Sequence, residues 1–167
     1  LSKVGEILRL YCKALTGTNV SLQSTANLAE KGIGWVDEHR ASTEGTTIFL
    51  PEVMEDHHAK DDNFAAYKVF ATHQAAHLEF ASFNFAYERS GNVFETQRPP
   101  GAETPSTALT DMERFFDVMP ERQLAGDLYT IAEDCRIDAS VKREYGGIRR
   151  ALTRMQREEL DRRPEVR

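Results

Sequence analysis

Asp61-Asp62-Asn63-Phe64-Ala65-Ala66-Tyr67-Lys68-Val69-Phe70-Ala71-Thr72-His73-Gln74-Ala75-Ala76-His77-Leu78-Glu79-Phe80 is the stretch from which the rest of the chain can be read. No glycine or proline follows until Gly91, and Asp61, Asp62 or Asn63 can cap a first turn, so a long helix is predicted from Asp61 onward. Phe64, Tyr67, Val69, Phe70, Leu78 and Phe80, with Phe83 and Phe85 beyond them, cover nearly its whole circumference. That is the pattern of a helix buried in mid-domain. His73 and His77 lie four residues apart within it, on a ridge shared with Phe70, Phe80 and Asn84. Such residues project from one helix face about 5–6 Å apart at Cβ, which lets two imidazoles reach one divalent ion. Neutral imidazoles on a buried face need partners for their ring nitrogens. A shared metal supplies them, and so do ordinary hydrogen bonds to backbone or carboxylate.

Upstream, Val4, Ile7, Leu8, Tyr11 and Leu15 recur at three- and four-residue intervals and predict an amphipathic helix over Ser2 to Leu15, ended by Gly17. Val20 and Leu22 alternate with polar neighbours in Asn19–Ser24, a short strand signal, and Lys31 to Gly45 reads as loop. Thr46-Thr47-Ile48-Phe49-Leu50 is β-branched and aromatic and stops at Pro51, which predicts a strand. Downstream, Gly91 to Thr107 carries Pro99-Pro100-Gly101 and Pro105 and reads as a surface loop, followed by a short helix from Leu109 to Val118. After Pro120 a second long helix is predicted over Glu121 to Tyr145, with Leu124, Leu128, Ile131, Cys135, Ile137 and Val141 as its apolar positions and Gly146-Gly147 as its stop.

The expected fold is therefore α+β and predominantly helical, with a short strand region and two long core helices in residues 1–147. Residues 148–167 read as a charged helical tail or linker. From Lys142 onward there are nine basic residues against five acidic ones, which leaves −10 for the remainder of the chain. A solvated helical face with intrahelical ion pairs explains this run, and so does a docking arm. The chain begins at Leu1 and ends in charge, as a piece cut from a longer protein would, with the tail leading toward a missing C-terminal domain.

Composition narrows the classes. The 167 residues are 40% hydrophobic and 29% charged with a formal charge of −6, too apolar for wholesale disorder and too polar for a membrane protein. The acidic balance argues against a nucleic-acid binder, and no run of 18 apolar residues is present to span a bilayer. No signal peptide is visible, and Cys12 and Cys135 have no CxxC spacing, which points to reduced thiols and a cytoplasmic location. A domain of this length needs neither disulfides nor a metal merely to fold.

The histidine pair acquires chemistry from a second cluster. His73-Gln74-Ala75-Ala76-His77 resembles the HExxH motif of the zincin metallopeptidases, and the order of strand, HxxxH helix, long excursion and acid-bearing helix matches their core. In that arrangement the second helix gives one carboxylate to the metal, while another, one turn on, receives the N–H of a ligand His. Ala132-Glu133-Asp134-Cys135-Arg136-Ile137-Asp138 supplies such acids. The resemblance implies Asp134 as ligand and Asp138 as the group orienting a histidine. Glu133, about 100° around the helix, is the competing ligand. These acids can equally be surface groups paired with Arg136, Lys142 or Arg143. Position 74 departs from the motif, because the Glu of HExxH takes the proton of metal-bound water and a glutamine amide cannot. Glu79 points away from the pair. His57-His58, preceded by Glu55-Asp56, reads as a solvated loop, and Cys135 as a small hydrophobe.

Leu10-Tyr11-Cys12-Lys13-Ala14-Leu15-Thr16-Gly17, Ile48-Phe49-Leu50-Pro51, Thr72-His73-Gln74-Ala75-Ala76-His77-Leu78-Glu79-Phe80 and Ala132–Asp138 together are similar to the region preceding the von Willebrand factor A domain in the CbbO and NorD group. The resemblance implies partnership with a MoxR-type AAA+ ATPase and a client enzyme of the rubisco or nitric oxide reductase type. The expected function is thus a non-catalytic or cryptic metal-binding adaptor, with zinc as the expected ion. The alternatives are a zinc-dependent metallopeptidase with an altered HQxxH motif and a metal-free helical interaction module.

Overall fold

The computed structural model describes residues 1–27, 42–44, 46–90 and 110–164. Its elements are α1 (Gly5–Thr16), β1 (Ser21–Ser24), β2 (Ser42–Glu44), β3 (Thr47–Leu50), α2 (Lys60–Glu79), α3 (Asp111–Asp117), α4 (Arg122–Glu144) and α5 (Arg149–Asp161). The α+β, mainly helical character expected from the sequence is observed. The chain divides into two compact units, residues 1–81 with 137–167, and residues 82–136.

In the first unit β3 is the middle strand, parallel to β1 and antiparallel to β2. Ile48, Phe49 and Leu50 are all buried, as a short β-branched and aromatic run in a covered strand should be. The expected loop over Lys31 to Gly45 needs correction at Ser42–Glu44, which pairs with β3; residues 28–41 and 45 lie outside the described residues. α1 ends as predicted, with Gly17 at φ 68° and its N–H on Lys13 O at 3.0 Å, a left-handed position that glycine occupies without strain. Of its predicted stripe, Leu8 is buried and Val4, Tyr11 and Leu15 are half-buried; Ile7 is exposed, and Cys12 joins the buried side.

α2 packs against α1, β3 and α5. Ala66, Tyr67, Ala71 and Ala75 enter one apolar cluster with Leu8, Cys12, Ile48 and Leu50. Val69 and Ala76 enter a second with Ile137, Val141, Ile148 and Leu152. The central helix is therefore buried on two sides, as its composition implied. Its most buried positions are mainly alanines, while Phe64, Phe70 and Leu78 are half-buried at the margins. Small side chains let neighbouring elements approach the backbone, and the large ones seal the edges. The Tyr67 hydroxyl donates to Pro51 O at 2.9 Å and so ties the end of β3 to α2.

Two expectations about α2 are corrected. It starts at Lys60 with no side-chain cap; Asp61 and Asp62 sit inside the first turn, where they complement the helix dipole. Asn63 instead braces the preceding connection, accepting from His57 N–H at 3.0 Å and donating to His57 O at 2.7 Å. The helix also ends at Glu79 rather than near Gly91, because Ala81 adopts φ 60°. That left-handed conformation ends a helix, but a residue with a Cβ holds it under strain of about 1–2 kcal/mol. Phe83, expected in the buried helix, is exposed.

The tail expected from the sequence is part of the first unit. α5 buries Leu152, and Ile148 just before it is buried too, while Arg154 reaches Asp62 at 2.8 Å. Ion pairs within the helix, Arg162–Glu159 and Arg154–Glu158, account for part of its charge.

In the second unit, α3 begins with a reciprocal cap: Thr110 Oγ1 accepts from Glu113 N–H at 3.1 Å and Glu113 Oε2 accepts from Thr110 N–H at 3.0 Å. Phe85, Phe115, Phe116 and Tyr129 form a run of ring contacts at 5.4 to 5.6 Å between centroids. The N-terminal half of α4 departs from expectation. Leu124, Leu128 and Ile131, predicted to be core, are 54%, 58% and 62% exposed. Only Ile137, Ser140 and Val141 of this helix are buried, all in its C-terminal half. The loop expected over Gly91 to Thr107 lies outside the described residues. Among the described residues no helix is long and apolar enough to cross a membrane.

Two measurements test this description. Ala81→Gly relieves the left-handed strain at a helix end and should stabilise the protein by about 0.5–1 kcal/mol, raising the melting temperature by roughly 1–4 °C in a thermal scan. Cys12 is buried, its thiol 3.8 Å from Ala71 O and its pKa pushed up to about 11 by burial, whereas Cys135 is exposed. Because the thiolate is the reacting species, Ellman's reagent should titrate one thiol in the native protein and two in denaturant. Two fast thiols in the native state would refute the buried assignment of Cys12.

Candidate metal centre

His73 and His77 share the side of α2 that carries Val69, Ala76 and Phe80, next to the second apolar cluster. Their rings meet edge to face, centroids 4.9 Å apart at 79°. His73 Nδ1 lies 2.8 Å from Asp138 Oδ1, and the two side chains are 18% and 23% exposed. A carboxylate only accepts, so the proton of this bond sits on His73 Nδ1 and leaves the Nε2 lone pair on the far side of the ring. That lone pair faces His77 Nε2 at 3.2 Å. Two ring nitrogens this close must share something between them, either the proton of one imidazole or a cation. For a tetrahedral zinc with Zn–N of about 2.0–2.1 Å, the two nitrogens stand roughly 3.3–3.4 Å apart. The observed spacing already suits that shell.

Asp134 lies one turn before Asp138 on the same helix. One ligand atom each from His73, His77 and Asp134 all fall within 4.8 Å of one another, each residue being half-buried. Among the described residues these are the His, Cys, Asp and Glu side chains grouped closely enough that they could hold a metal ion.

Glu133, the competing acid, pairs with Arg136, and its side chain is only 13% exposed. Both its oxygens engage the fork of Arg136, at 2.6 and 2.7 Å, and the hydrogen bond to Glu133 raises the guanidinium pKa further. The pairing with Arg136 is the one the sequence offered, but Glu133 is not a surface group, and Asp134 is the acid grouped with the histidines. Arg143 pairs with Glu144, and Lys142 bonds to Gln156.

The neighbouring candidates take other partners. Glu79 is exposed and accepts from the Tyr145 hydroxyl, as its angle on the helix implied. The Tyr145 pKa is raised, first by burial and then by that bond to a carboxylate. His57 directs Nε2 toward Glu158 at 3.9 Å, and Glu55, Asp56 and His58 are exposed, in keeping with a solvated connection. Cys135 is exposed rather than the small buried hydrophobe expected. Gln156 has no precedent in the sequence reading. Its amide donates to Asp138 Oδ2 at 2.5 Å, and a glutamine on a charged helix carries no motif that would mark it.

No family model matches the chain, and no curated protein or solved structure does either. The chemistry of the site rests on its own geometry.

The His73–Asp138 bond fixes a tautomer, and this is measurable. Long-range ¹H–¹⁵N spectra should show His73 protonated at Nδ1, and Asp138→Ala should shift it toward the mixture typical of a free imidazole. The same substitution should lower stability by about 1–2 kcal/mol in urea denaturation, since a partly exposed bond to a charged group is removed.

Proposed function

We propose that this chain is a non-catalytic metal-binding module in which His73 and His77 of α2 and Asp134 of α4 hold one divalent ion. The observation that carries the reading is the 3.2 Å approach of two Nε2 atoms, with Asp138 on the other ring nitrogen of His73. Two imidazole nitrogens and a carboxylate oxygen are a zinc donor set. Asp138 stands where a carboxylate orients a ligand histidine and raises its basicity. Zinc is therefore the ion proposed.

The role proposed is a brace. An ion held by both α2 and α4 ties together the helices whose residues make the second apolar cluster, and its binding free energy adds to folding free energy. Turnover is disfavoured by the residues themselves. Gln74 offers no proton acceptor, and Glu79 is committed to Tyr145 on another side of the helix. The order of β3, the HxxxH helix and the acid-bearing helix supports a zincin-like core from which the base has been lost. In the proposed setting, by resemblance of the motifs to the CbbO and NorD group, the module serves as adaptor to a MoxR-type AAA+ ATPase acting on a client enzyme.

Zinc titration tests this. Zinc at one hundred times its dissociation constant should stabilise the wild-type chain by about 2.7 kcal/mol, and His73→Ala should abolish both uptake and stabilisation. Peptide hydrolysis should be absent in the wild type and emerge in Gln74→Glu. Chelator-sensitive hydrolysis by the wild type would replace the adaptor with a metallopeptidase. A wild type that takes up no zinc would leave a metal-free interaction module, with His77 Nε2–H simply donating to His73.

A further inference from the structure

Building on the reading of His73 and His77 as ligands, we propose that Gln156 is a positioning residue of the ion site and couples its occupancy to the seating of α5. Asp138 is held at both oxygens: Oδ1 accepts from His73 Nδ1–H at 2.8 Å and Oδ2 from the Gln156 amide at 2.5 Å. The carbonyl oxygen of the same amide accepts from the Lys142 ammonium. This fixes the amide without ambiguity, because a carboxylate can only accept and an ammonium can only donate. The result is a chain of polar contacts, His77–His73–Asp138–Gln156–Lys142, that runs from α2 through α4 to α5 and back to α4.

Each link constrains the next. A carboxylate gripped at one oxygen swings about its χ angles, whereas one gripped at both holds a single rotamer and a single direction for the imidazole it supports. Ring direction decides where the Nε2 lone pair of His73 points, and therefore how well it meets an ion shared with His77. The remaining contacts of α5 with the unit include apolar packing at Ile148 and Leu152 and the Arg154–Asp62 pair. Gln156 is thus the group on α5 that reads the state of the site. Coupling between two equilibria is reciprocal. An ion that stiffens His73 and Asp138 favours the docked Gln156, and loss of Gln156 weakens the ion.

The test uses the full chain with zinc as the probe. Affinity is measured by competition with a chromophoric chelator, and amide hydrogen exchange over Arg149–Asp161 is followed with and without zinc. In the wild type zinc should slow exchange in α5. Gln156→Met keeps the length of the side chain and removes both polar ends. It should weaken zinc about 10–100-fold, the range seen for partners of metal-ligating groups, and abolish the zinc-dependent slowing. Gln156→Asn keeps the amide but is one methylene too short to span both partners; it should show the same loss and serves if the Met variant does not fold. Gln156→Met or Gln156→Asn binding zinc within twofold of wild type would overturn the proposal, as would α5 exchange that is indifferent to zinc in the wild type. A wild type that binds no zinc removes the site reading and this inference together. A wild type that binds, with a His73→Ala that does not and a Gln156→Met that binds normally, removes this inference alone.

Discussion

The burial of α2 on two sides is the constraint from which the first unit follows. A helix with one apolar stripe can lie on a surface, but one that feeds two apolar clusters must be enclosed, and α1, β3 and α5 supply the enclosure. The polar residues of such a helix then have few ways out. His73 and His77 lie beside Val69 and Ala76, and their ring nitrogens must be matched by groups on other elements or by each other. Asp138 provides that match from α4, one turn from Val141 and next to Ile137, both in the cluster. Core and site are in this sense one design problem. The same packing that buries Ile137 delivers the carboxylate.

How much of this was legible depended on whether the signal was local. β3 announced itself through Ile48-Phe49-Leu50 before Pro51, and the C-terminus of α1 through Gly17, because both depend on a few adjacent residues. The end of α2 did not. Nothing in Phe80-Ala81-Ser82 marks a stop, since the left-handed turn falls on an alanine where composition would call for glycine. The apolar positions of α4 were legible as apolar and misleading as core. Periodicity identifies a face but says nothing about whether a partner covers it along the full length, and the covered part begins only at Ile137. The tail misled in the other direction. Its charge density hid two buried residues, Ile148 and Leu152, that enter the second apolar cluster.

The site was legible where two helical spacings sufficed. His73 with His77, and Asp134 with Asp138, are each four apart, and each pair lies on one face. The different surroundings of Glu133 and Asp134 needed three dimensions: Arg136, three residues along the helix, engages both oxygens of Glu133, while Asp134 groups with the histidines. Gln156 was invisible for a different reason. Its part is defined entirely by contacts with Asp138 and Lys142 across a turn between helices, and an amide side chain has no titration or ligand chemistry to single it out.

The polar chain through the site also has a direction in time. His73 and Asp138 are 65 residues apart, and Asp138 and Gln156 a further 18. On a growing polypeptide the two histidines therefore leave the ribosome well before the carboxylate that orients them, and the amide that steadies the carboxylate comes last. Over that interval the imidazoles stand on an incompletely enclosed helix, open to whatever the nascent chain meets. Docking of the C-terminal helix is the event that completes the run of polar contacts from His77 to Gln156.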